Sequence, residues 1–296
     1  MKKQILKMLV IGTFELVAAP ASATGFVSLP AAGFSISGGT SAYTLCNTTG
    51  NFGFGSPLKP TTTANNECAV FTATEVTAPV AGFTLITSAS RSAVMNNSYT
   101  GNINKTFGVV TEYVWRNTAQ TQCIYGAKVV LNNTDYQTSS GTQYFKITDF
   151  SRSGFSGLDI SAGYSTIQTS AQPVYRIGRT FTAVQYANTS GYVALPSTTP
   201  AFSQSINGVN GSGTPLASQQ SASLNDNWVT FRTNIFYPTS AASSIFHVQA
   251  NCTSAAPVAV PNAIRLRQTA TPFIEIPVTG FVPPGGTALP NPVTPY

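Results

Sequence analysis

Charge is scarce in this sequence, and histidine is nearly absent. Of 296 residues, 15 are Lys or Arg, 9 are Asp or Glu, and His247 is the one histidine. Residues 1–23 hold three of the lysines and one of the glutamates. The remaining 273 residues therefore carry 12 basic and 8 acidic side chains. Ser, Thr and Asn number 88 in that stretch, so hydroxyls and amides rather than charges must keep the surface wet. A net charge of +4 spread along the chain is too weak and too scattered for a nucleic-acid partner.

Other absences narrow the chemistry. There is no C-x₂-C pair, and one histidine cannot build a zinc site. No D-x-[DN]-x-[DN]-G loop occurs. Asn132-Asn133-Thr134-Asp135 offers a single carboxylate and reads as an Asn-rich turn rather than a calcium site. A Ser–His–Asp triad would have to use His247, which sits in an expected strand with no nucleophile elbow nearby. No cofactor or metal is expected. After residue 23 no run reaches the roughly 18 apolar residues that a membrane-spanning helix needs. Nor does the end of the chain suit an outer-membrane barrel, since Pro292 and Pro295 interrupt the last strand that such a barrel requires. No amphipathic helix of a dozen residues follows the signal.

What is present begins with export. Lys2, Lys3 and Lys7 make a positive start, Met8–Pro20 is mostly apolar, and Ala21-Ser22-Ala23 is a small-x-small cleavage site. The expectation is a signal peptide over 1–23, a mature start at Thr24 and an exported protein: secreted, at the cell surface, or in a periplasm. No cysteine stands at the cleavage point to take a lipid anchor. Four cysteines in an exported chain predict disulfides. Three pairings are possible, and the favoured one is Cys46–Cys68 with Cys123–Cys252. The short clip would stabilise by about 3 kcal/mol and the long loop by nearer 5 in the chain-entropy account.

Apolar residues recur at a period of two. Val229, Phe231, Thr233 and Ile235 fall on one face of an expected strand, with Trp228, Thr230, Arg232 and Asn234 on the other. Further strands are expected over 106–115, 124–131, 143–150, 174–186, 245–250, 263–268 and 273–278, with shorter ones near 34–36, 43–45, 69–72 and 83–87. The fold class is all-β, an antiparallel β-sandwich or jelly-roll-like domain with long Ser/Thr/Asn/Gly-rich loops. That domain is expected over 24–276, with a long loop at 195–227. A Pro-rich extended tail is expected over 277–296.

Paired carboxylates would be the route to a glycoside hydrolase, with Glu112, Asp149, Asp159 and Asp226 as candidates. No spacing links them, and each reads more simply as a lone surface charge. Glu112, Tyr113 and Trp115 are neighbours on one strand and form the candidate ligand contact, the two rings being able to stack on a sugar. Arg176 and Arg179 cluster, as do Arg265 and Arg267; the latter pair, two apart, reads as the wet face of a half-buried strand. Two functions follow. The first is a non-catalytic extracellular structural or cell-surface assembly protein that associates with itself, its tail pairing with a neighbour's sheet edge. The alternative is a carbohydrate-binding, lectin-like adhesin with surface polysaccharide as partner.

Overall fold

Alternation that is local in sequence becomes two packed sheets in space. The computed structural model describes residues 25–36, 39–46, 59–137, 141–167, 171–181, 185–188, 191–194, 204–206, 224–268 and 274–286. In chain order the strands are β1 (Val27–Ser28), β2 (Phe34–Ile36), β3 (Gly39–Ser41), β4 (Tyr43–Leu45), β5 (Phe83–Met95) and β6 (Lys105–Asn117). They continue as β7 (Gln122–Leu131), β8 (Lys146–Arg152), β9 (Ile160–Ser165), β10 (Arg176–Gly178), β11 (Gln185–Asn188) and β12 (Gly191–Ala194). The last five are β13 (Gln204–Ile206), β14 (Val229–Phe236), β15 (Ile245–Asn251), β16 (Val258–Gln268) and β17 (Ile274–Val282). Among the described residues there is no α-helix, only a short 3₁₀ turn at Ser98–Thr100. The fold is all-β, as the period of two predicts.

One six-stranded sheet runs β1-β9-β15-β7-β6-β5 and the other β17-β16-β8-β14-β10-β4, with every named strand pair antiparallel. Between them lies a core that includes Val110, Val114, Phe150, Phe231, Phe246 and Leu266. The rings of Phe150 and Phe246 approach from opposite sheets to 4.6 Å between centroids. Burying each such side chain contributes roughly 1.5–3 kcal/mol. Val229, Phe231 and Ile235 all enter this core, so the register of β14 is as expected. Both disulfides form in the expected pairing, Cys46–Cys68 and Cys123–Cys252.

Several expectations are corrected. Strand β14 is buried on both faces, because Trp228, Thr230, Arg232 and Asn234 are covered as well. Residues 69–72 give no strand but a single bridge, Ala69 to Tyr164. The region 174–186 is two strands, β10 and the start of β11, and 204–206 within the expected long loop is a strand paired with β11. The rest of 195–223 and the expected signal peptide over 1–23 lie outside the described residues. The expected boundary at 276/277 falls inside β17: residues 277–282 pair with β16 and belong to the sandwich. Only 287–296 remain beyond the described part of that tail.

Candidate functional site

The three residues expected to meet a ligand are split by strand alternation. Tyr113 and Trp115 point to the outer face of β6, where Phe26, Ala78 and Val80 pack over them. Trp115 Nε1 donates to the Val76 carbonyl at 3.0 Å, and the Tyr113 hydroxyl donates to Glu75 Oε2 at 3.0 Å. Lys128 Nζ reaches the other Glu75 oxygen at 2.5 Å. Burial, then the Glu75 carboxylate, pushes the Tyr113 phenol up to about 12. Both rings are buried, so neither offers a face to a sugar. The expectation of exposed stacking aromatics is overturned by the segment around 75–80, which supplies partners for both polar tips.

Glu112 points the other way, into the core row of Val110 and Val114, and is fully buried. Its carboxylate accepts from Arg91 of β5, from Arg152 of the opposite sheet at 3.1 Å and from the Phe281 N–H at 2.9 Å. Arg152 also donates to the Phe281 carbonyl at 2.7 Å and to the Tyr125 carbonyl at 3.0 Å. The Glu112–Arg152 pair thus grips both backbone groups of Phe281, and Arg91 lies over the Phe281 ring. Burial raises the Glu112 carboxyl, while Arg152, the Phe281 N–H and Arg91 pull it back down. This is a clasp between sheets rather than a lone surface charge.

Asp149 is likewise not a surface charge. Strand register places Glu275, Arg267, Asp149, Arg232 and Arg176 side by side across β17, β16, β8, β14 and β10. Arg267 donates to Glu275 at 2.7 Å, to Asp149 at 3.3 Å and to Ser151 Oγ at 2.6 Å. Arg265 joins Glu275 at 2.5 Å. Arg265 and Arg267 were expected to face water; both are buried, Arg267 lying 3.8 Å from the centroid of the Phe181 ring. Arg179 donates to the carbonyls of Phe155 and Leu158 at 3.0 and 2.9 Å. Asp226 accepts from Ser156 Oγ and the Gly157 N–H, holding a turn, and Asp159 is exposed. Glu112, Asp149 and Asp226 thus hold different parts of the fold, while Asp159 stays on the surface as expected. Asp135 accepts the N–H groups of Gln143 and Gln137, each at 2.9 Å, which lowers its carboxyl below the usual range and closes the expected turn.

His247 is buried on β15, its Nε2 2.9 Å from Ser165 Oγ and its ring edge-on to Trp115. Burial, with Arg152 adding repulsion, pushes its pKa down to about 3. The imidazole is neutral near pH 7, and its Nδ1 meets no hydrogen-bond partner. A Ser–His contact exists, but no carboxylate orients it and both residues are closed off from solvent. Among the described residues no three His, Cys, Asp or Glu side chains gather where a metal could bind. No helix there is long and apolar enough to cross a membrane.

The feature that sequence reasoning missed is an edge. Sheet edges expose unpaired N–H and C=O groups, and proteins usually guard them. Strand β4 is three residues long and β1 two. Strand β17 carries Pro277, and the Glu112–Arg152 clasp occupies its backbone at Phe281. Strand β5 has none of these. It runs thirteen residues, FTLITSASRSAVM, without Pro or Gly, and among the described residues pairs only with β6. No turn or loop backbone hydrogen bond of the described residues engages it. Ser88, Ser90, Ser92 and Val94 stand exposed on its outer face, and its one charge, Arg91, turns inward to Glu112. A bulge between Leu85 and Thr87 leaves Leu85 and Ile86 39% and 40% exposed. Beside the bulge is an open groove of about 380 Å³, lined by Ile86, Thr87, Arg116, Ser254, Pro257 and Phe281 among others. The alternation of Ser88, Ser90 and Ser92 with Ala89, Arg91 and Ala93 was the available signal. It went unread because neither face is strongly apolar.

The fold and its edges define an all-β, doubly disulfide-bonded sandwich. No family model, no curated protein and no solved structure matches the chain.

Proposed function

We propose that this is an exported, non-catalytic structural protein of the cell surface that assembles with copies of itself. The observation that carries the reading is the β5 edge, thirteen residues long, which among the described residues hydrogen-bonds only to β6 and lacks the proline of the other long edge, with β17 adjoining it at Phe281. Each backbone hydrogen bond added there contributes about 0.5–1.5 kcal/mol net, so a run of them supports stable pairing. The sparse charge of the chain gives copies little reason to repel one another. The two disulfides are compatible with an oxidising compartment outside the cytosol. The burial of Tyr113 and Trp115 removes one support of the lectin-like alternative.

Sedimentation of the mature protein over a range of concentrations tests this. The unaltered chain should associate, and a Ser88→Lys, Ser90→Lys, Ser92→Lys variant should stay monomeric with the same melting profile. A strictly monomeric unaltered protein at high concentration would overturn the proposal.

A further inference from the structure

We infer that the strand added to the β5 edge is residues 287–296 of a second copy, giving head-to-tail assembly; this rests on the self-association reading above and names the two surfaces it joins. The sequence of that segment, TALPNPVTPY, suits one-sided pairing. In an extended strand successive residues direct their N–H and C=O groups to alternate edges. Pro290 and Pro292 therefore share one edge, where neither has an N–H to give, while Leu289, Asn291 and Val293 present complete backbone groups on the other, which ends at Pro295. Such a strand pairs along one side and refuses a further strand on the other. Growth by stacking strand upon strand is blocked, and one segment fills one edge.

Length and charge agree with this pairing. Ten extended residues span about 33 Å, against about 43 Å for the thirteen of β5. The segment is uncharged, and the lone charge of β5 is committed to Glu112.

The exit point of the chain favours a neighbour's edge over its own. Gly286 donates to the Pro283 carbonyl at 2.8 Å, and this turn brings Gly286 against Gly154, just beyond β8. In the sheet β8 lies two strands in from the β17 edge. The molecule's own β5 adjoins β17 from the other side, through Arg91 and Phe281. Because tail and edge are different surfaces, the contact is heterologous and runs from copy to copy, into an open filament or a closed ring.

Complementation separates this inference from the broader reading. A mature chain ending at Gly286 keeps every strand and both disulfides and retains the edge without the tail. The triple Ser88→Lys, Ser90→Lys, Ser92→Lys variant retains the tail without the edge. Each alone should sediment as a monomer, while an equimolar mixture should give a one-to-one dimer that grows no further. The unaltered chain should show filaments or closed rings by electron microscopy. If the truncated chain still associates while the lysine variant does not, β5 pairs with something other than the tail: the inference falls and the edge reading stands. If both variants assemble as the unaltered chain does, or the unaltered chain is monomeric, both fall. Matching melting profiles for the three proteins exclude misfolding as the cause of any loss.

Discussion

The indole of Trp115 lies directly on Gly126: a Cβ placed on that glycine would stand 2.6 Å from Trp115 Cζ3 and 3.3 Å from His247 Nδ1. The absent side chain on β7 is what lets the ring of β6 lie flat over the outer face of the sheet. Gly126→Ala should therefore destabilise by about 1–3 kcal/mol through overpacking. Urea unfolding should show the midpoint falling with the slope unchanged. Combining it with Trp115→Leu, which vacates the contested space, should recover part of the loss. Equal losses in both backgrounds would show that the ring can move aside freely.

Glu112 and Arg152 form a buried pair joining the two sheets, so removing one partner leaves the other charged and unmatched. Arg152→Met should cost about 3–5 kcal/mol. Pairing Arg152→Met with Glu112→Gln should cost less than the two single losses added together, with a coupling of about 0.5–3 kcal/mol. Additive losses in a double-mutant cycle would mean that the pair does not act as a unit.

Protonation of His247 should weaken the fold in acid. Its pKa in the folded protein is about 3, below its ordinary value of 6.5. Between those values the unfolded chain binds the extra proton, so the stabilisation is complete above about pH 6.5 and lost as pH falls toward 3. The gap corresponds to a contribution on the order of 5 kcal/mol. Relative to the unaltered protein, His247→Gln should flatten the fall in stability between pH 6.5 and 3. Parallel curves for the two proteins across that window would count against the assignment.

The two disulfides should differ in value by loop length. Cys123–Cys252 closes a separation of 129 residues and Cys46–Cys68 one of 22. Loop entropy predicts about 5 kcal/mol for the first and about 3 for the second. Replacing Cys123 and Cys252 together by Ala should lower the unfolding midpoint more than replacing Cys46 and Cys68. The reverse order would mean that the short clip anchors structure in its own right.

Much of the fold was legible from the chain because period-two alternation is a local property. Val229, Phe231 and Ile235 announce a strand with one apolar face before any partner is known, and an even number of cysteines after an expected export signal points to disulfides. Small residues carry no such signal: ISAGYS of β9 has only Ile160 and Tyr164 to mark a face, and the Ser/Ala alternation of β5 has no large apolar side chain to do so. Whether a face meets water is not local at all. Arg265 and Arg267 read as wet, and Glu112 and Asp149 as lone charges, because their spacing says nothing about the strands that arrive from more than 100 residues away. Only the tertiary structure sets Arg267 between Glu275 and Asp149, lays the segment around Val76 over Trp115, and closes the Glu112–Arg152 clasp on β17 while leaving β5, among the described residues, hydrogen-bonded on one side. A strand's pattern is written in its own residues, but its burial and its free edge depend on what packs beside it.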